Sequence, residues 1–131
     1  MKLKTLHEAK KSPVAETGFD GDIEKLTIEN NNFRKVLYTT HNTQLVLMTL
    51  KVGEDIGEEV HKDGSQFFRF EEGQGVVKIG EKEVNVKDGS AVIVPQGMLH
   101  NVSNTGSSPL KLYALYSPPQ HDDGVVDKNK P

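Results

Sequence analysis

Apolar and β-branched residues along this chain come in runs of four to ten, broken at close intervals by glycine, asparagine and aspartate pairs. Phe33–Thr40, Thr43–Val52, Gln66–Glu72, Gly75–Ile79, Glu83–Val86, Ala91–Val94, Leu99–Asn104 and Leu110–Ser117 read as strands. The turns between them fall at His41-Asn42, Lys62-Asp63-Gly64, Glu72-Gly73, Gly80-Glu81, Asp88-Gly89, Gln96-Gly97 and Thr105-Gly106. Many short strands without a strong amphipathic helix predict an all-β sandwich or barrel. Residues 1–32 are polar and lack sustained periodicity, so they read as a mostly irregular N-terminal arm with one short strand at Glu24–Ile28. The body spans 33–117. Pro118-Pro119 ends the last strand, because proline cannot donate to a ladder, and 118–131 reads as a C-terminal tail.

Two strands break the alternation expected of a sheet with one wet face. Thr43–Val52 carries Leu45 and Leu47 on one side and Val46, Met48, Leu50 and Val52 on the other, and Leu110–Tyr116 is similar. The second face is expected to be covered by the N-terminal arm or by another subunit, and a homodimer is the expectation.

Composition narrows the classes. The 131 residues fit one domain and contain no cysteine, so disulfides and thiolate chemistry are excluded. The net charge of −3 is mild, the lysines are scattered, and the arginines are Arg34 and Arg69. No basic patch of the kind that holds nucleic acid is visible. No apolar run approaches the roughly 20 residues of a membrane span. Met1 to Lys11 has lysines but no apolar stretch of the secretory kind. A cytoplasmic protein with neither nucleic-acid nor membrane partners is expected.

Candidate chemistry concentrates between Gly53 and Asn104. One signature reads Gly53, five residues, Glu59-Val60-His61, four residues, Gln66, six residues, Gly73. The other reads Gly89, five residues, Pro95-Gln96-Gly97, two residues, His100, three residues, Asn104. Glu59 and His61 are two apart and share a face of any extended segment. Gln66, Phe68 and Phe70 share a parity, so the two phenylalanines should stand beside Gln66 while Phe67 and Arg69 face the other way. The glycines suit sharp turns, and Asn104 suits a side-chain turn cap.

These signatures resemble the two motifs of the cupin superfamily, G-x5-H-x-H-x3/4-E-x6-G and G-x5-P-x-G-x2-H-x3-N. The second matches at every fixed position. In the first, Glu59 stands where a histidine is usual and Gln66 where a glutamate is usual. The resemblance covers about residues 35–117. It implies a jelly-roll β-barrel in which Glu59, His61, Gln66 and His100 meet in one cavity, lined by Phe68, Phe70 and Met48. Two histidines and a carboxylate would suit a divalent transition metal, iron, manganese, nickel or zinc, with positions open to a small-molecule ligand. Gln66 offers only a neutral amide oxygen, either as a loose ligand or as a partner for metal-bound water. Without metal, an inward-facing Glu59 should either take up a proton or pair with a protonated His61 or His100.

Single-domain bacterial proteins that look like this one are often labelled by analogy with phosphomannose isomerase. A phosphate site wants arginine or a helix N-terminus, and Arg69 is expected to face away. Phenylalanines beside the site suit a small organic acid, enol or aromatic ligand instead. The resemblance implies a small metal-dependent enzyme of unknown reaction, of dioxygenase or isomerase type. The alternative is a non-catalytic small-molecule binding or sensor protein with a degenerate metal site.

Overall fold

The computed structural model describes residues 16–131. Among the described residues, nine strands form two antiparallel sheets. They are β1 (Arg34–Thr39), β2 (Gln44–Leu50), β3 (Ser65–Glu72), β4 (Gln74–Ile79), β5 (Lys82–Lys87), β6 (Ala91–Val94), β7 (His100–Asn104), β8 (Leu110–Ser117) and β9 (Val126–Asp127). One sheet runs β6-β3-β8-β2-β1-β9 and the other β5-β4-β7. Strands that neighbour each other without being consecutive, as β3-β8-β2 do, give the jelly-roll crossover. That crossover brings residues 59–61 and residue 100 to one end of the sandwich. Among the described residues, no helix is long and apolar enough to cross a membrane.

The core lies between the sheets. Val46, Met48 and Leu50 of β2, Phe68 and Phe70 of β3, and Leu110, Leu112 and Ala114 of β8 meet Val77 and Val102 of the smaller sheet, all fully buried. Phe70 and Met48 sit within this packing, and Phe68 lies at the end nearest the histidines.

The segment expected as a strand at Glu24–Ile28 is instead a helix, α1 (Ile23–Glu29). Asp22 Oδ1 accepts from the Lys25 amide at 3.1 Å and caps it. Ile23, Leu26, Thr27 and Asn30 fall at i, i+3, i+4 and i+7, the spacing of a helical stripe. The Leu-Thr-Ile run suggests a strand only when that cap is overlooked. α1 packs against β2, β3 and β8, so the N-terminal arm covers part of the second face of β2. Leu47 is buried there. Lys111, on the outer face of β8, donates to the Asn30 carbonyl at 2.6 Å and to Asn31 Oδ1 at 3.1 Å. Residues 1–15, the rest of the arm's leading half, lie outside the described residues.

Beyond the prolines that follow β8, the tail returns along β1. Val36 donates to the Val125 carbonyl at 2.8 Å, and Phe33 to that of Lys128 at 3.2 Å. Arg34 pairs with Asp127 at 2.7 Å. Nothing local in Val125-Val126-Asp127 marks a strand; its ladder partner lies about ninety residues away.

Candidate metal centre

His100 opens β7, with its side chain on the inward parity of Val102 and Asn104. The Gln96-Gly97 turn delivers it there. Gly97 has φ of +78°, a left-handed conformation that suits glycine, and its amide donates to the His61 carbonyl at 2.9 Å. Glu59 and His100 exchange backbone hydrogen bonds at 2.9 and 3.0 Å as an isolated antiparallel bridge. The extended chain then carries Glu59 and His61 to the same side. Asn104 closes the motif by accepting from the Gly106 amide and donating to the Leu50 and Ser108 carbonyls.

The side chains converge. One donor atom from each of Glu59, His61 and His100 lies within 4.8 Å of the others. Glu59 Oε1 is 3.6 Å from His61 Nε2 and 3.9 Å from His100 Nε2. His100 Nδ1 lies 2.9 Å from the Met98 carbonyl. A carbonyl can only accept, so Nδ1 carries a ring proton, and in the tautomer with no second proton Nε2 offers a lone pair. Gln66, fully buried, places Oε1 2.9 Å from that Nε2. The Gln66 amide nitrogen is buried without a partner, so turning the amide over lets it donate to that lone pair. His61 Nε2 is buried with no hydrogen-bond partner. Lone pairs and a carboxylate aimed at one point are what a cation requires, and the spacing suits bonds of about 2.0–2.2 Å. The residues present fit a divalent metal held by Glu59, His61 and His100.

Charge behaves as a buried carboxylate beside imidazoles should. Burial pushes the Glu59 carboxyl up, but the His61 contact and the charges of His61, His100 and His121 outweigh it and hold the group below its ordinary range. The Glu59 contact raises His61 against its own burial. Glu59 therefore pairs with His61, and it does not take up a proton.

The surroundings include residues that sequence motifs do not reach. Tyr116, from β8, packs T-shaped against both His61 and His121, with ring centroids 5.7 and 5.2 Å apart. Phe68 lies 6.2 Å from the His100 ring. The tail adds Gln120, whose Oε1 is 3.2 Å from His61 Nδ1, and His121. Burial, and after it the Arg34 charge, pushes His121 down to about 4, so it is neutral at neutral pH. Its Nε2 is buried and unpartnered. Gln120 and His121 stand 59 and 60 positions beyond His61, in a segment without periodicity. A histidine among prolines and aspartates was the one signal available. Arg69 faces outward and pairs with Glu71 at 3.4 Å, well apart from these groups.

Residues 46–116 match the family model for the cupin domain. The uncharacterized protein YrkC of Bacillus subtilis is 47% identical over an alignment of 115 residues that covers 83% of this chain. The chain spans 62% of that relative's length. The crystal structure of BH2720 from Bacillus halodurans superposes with a TM-score of 0.87 at 42% identity, covering 91% of this chain and 95% of the other. The crystal structure of TT1209 from Thermus thermophilus superposes with a TM-score of 0.68 at 26% identity, over 76% and 96% of the two chains.

Proposed function

Because the chain belongs to the cupin family, we propose that it holds one divalent transition metal on Glu59, His61 and His100 and binds a small organic ligand beside it, as an enzyme of oxygenase or isomerase type. The observation that carries this reading is the convergence of the three donors within 4.8 Å with His61 Nε2 buried and unpartnered. A metal there would supply Lewis acidity to an oxygen-bearing ligand. Gln66 stands as a fourth candidate donor or as the hydrogen-bond partner of whatever occupies the open position. Phe68 and the Tyr116 edge give the surroundings an apolar wall, which favours an organic acid, enol or aromatic compound. A sugar phosphate is disfavoured, since Arg69 is turned outward and committed to Glu71.

A second reading is a non-catalytic binder. It is favoured by the amide of Gln66, which lies within hydrogen-bond distance of His100 where a carboxylate would be the stronger donor. Anaerobic titration with iron(II), manganese, nickel and zinc, followed by an activity screen, separates the two. Uptake of one equivalent that is lost in His100→Ala supports the metal centre, and turnover supports the enzyme. No uptake of any of the four leaves the binder.

A further inference from the structure

His61 can present Nε2 to a metal only if its single ring proton sits on Nδ1. Nδ1 lies 3.2 Å from Gln120 Oε1. The other end of that amide settles which atom faces the ring. Gln120 Nε2 donates to the Pro118 carbonyl at 3.1 Å, and turning the amide over would set two acceptors against each other there. Gln120 therefore offers His61 an oxygen, and an oxygen takes a proton from Nδ1. The Met98 carbonyl does the same for His100. One ligand thus takes its outer partner from the backbone and the other from a side chain on the C-terminal segment.

That side chain is itself held. Gln44, fully buried on β2, accepts from the backbone amides of Gln120 and His121 through Oε1 at 3.2 and 3.0 Å. Its Nε2 donates to the His121 carbonyl at 2.7 Å and to Thr39 Oγ1 at 3.1 Å. The tail is clamped across the open end of the barrel at the residue that touches His61. The Tyr116 ring packs T-shaped against the His61 ring as well.

We propose that Gln120 is a positioning residue of the metal centre, fixing the tautomer and orientation of His61 so that Nε2 faces Glu59 and His100. This rests on the metal reading of the site. Hydrogen bonds to the far nitrogen of a ligating histidine typically matter about 10–100-fold in metal affinity.

The test is a competitive zinc titration at about pH 7.5, where an unpaired histidine is neutral, on wild type, His100→Ala, Gln120→Leu and Gln120→Glu, with melting in chelator to check folding. Gln120→Leu should bind zinc about 10–100-fold more weakly, and Gln120→Glu, which keeps an acceptor, should recover most of the loss. If wild type takes up no zinc, or His100→Ala binds it equally well, the metal reading itself fails. If wild type binds, His100→Ala does not, and Gln120→Leu matches wild type, the positioning role is overturned while the metal centre stands. A long-range proton–nitrogen spectrum of zinc-loaded wild type needs no variant. Nδ1–H with metal-bound Nε2 at His61 supports the proposal, and zinc on Nδ1 overturns it.

Discussion

Glu59 and His61 shift in opposite directions, and each direction fixes where the pair stabilises the metal-free protein. His61 is raised from 6.5, so its contribution is full below that value and is lost as pH rises through the raised one. Glu59 is lowered from 4.5, so its contribution is present above that value and is lost as pH falls through the lowered one. The pair should stabilise most between about 4.5 and 6.5, and in chelator Glu59→Gln should cost most in that window. His121 acts oppositely. Its neutral buried form loses ground as pH falls from 6.5 toward about 4. A shift of that size corresponds to at most about 3 kcal/mol. Denaturant melts of His121→Gln against wild type should show a flatter acid limb. Below the raised His61 value, metal binding must displace the ring proton that the Glu59 contact favours. At free metal about 100-fold above Kd it should add about 2.7 kcal/mol, on the order of 10 °C in Tm. That gain should vanish in His100→Ala and fade as pH drops through the raised His61 value.

The strands were legible because each is a local event. A β-branched run bounded by Gly or Asp-Gly announces itself within about eight residues, as Gly75–Ile79 and Ala91–Val94 do. The spacing of Glu59, His61 and His100 was legible for the same reason: two short motifs carry it. α1 was misread because one side-chain cap at Asp22 outweighs the β-rich look of Leu-Thr-Ile. β9 and the docking of Gln120 could not be read, since the partners that place them are long-range: Arg34 for β9, Gln44 and His61 for Gln120. The tail's docking makes its own prediction. The Arg34 side chain is 12% exposed and its paired oxygen belongs to Asp127. Asp127→Ala would leave a largely buried guanidinium without its carboxylate and should cost about 2 kcal/mol in urea melts. An unchanged midpoint would mean that β9 contributes little to the fold.

Across the whole molecule, α1 covers only one part of the outer face of the six-stranded sheet. A row crosses the rest of that face in register: Ile93 on β6, Phe67 on β3, Leu115 on β8, Leu45 on β2 and Tyr38 on β1, the last packed against Phe19. Ile93 is 65% exposed, and Phe67, Leu115 and Leu45 are only partly covered. Removing apolar area from water contributes roughly 25 cal/mol per Å², so the homodimer expected from the two-faced strands should form across this row. Light scattering at micromolar concentration should give twice the chain mass, and Ile93→Lys should return it to one. A monomeric wild type would count against a dimer across this row and leave the cover of these strands to the N-terminal arm.

The clamp between Gln44 and residues 120–121 also bears on the order in which the molecule is made. A ribosome adds about 5–20 residues per second, and the strands through β8 are complete before Gln120 and His121 exist. Glu59, His61 and His100 can then come together while His61 Nδ1 still faces solvent. The nascent barrel would meet the cell's metal pool with one ligand free to present either nitrogen. Only when the last segment closes against β1 does the ring acquire a fixed partner. On the metal reading of the site, a fixed His61 ring would follow the docking of residues 118–127 rather than the closing of the strands, and a pulse-labelled chain stalled before residue 120 would be the form that exchanges metal most freely.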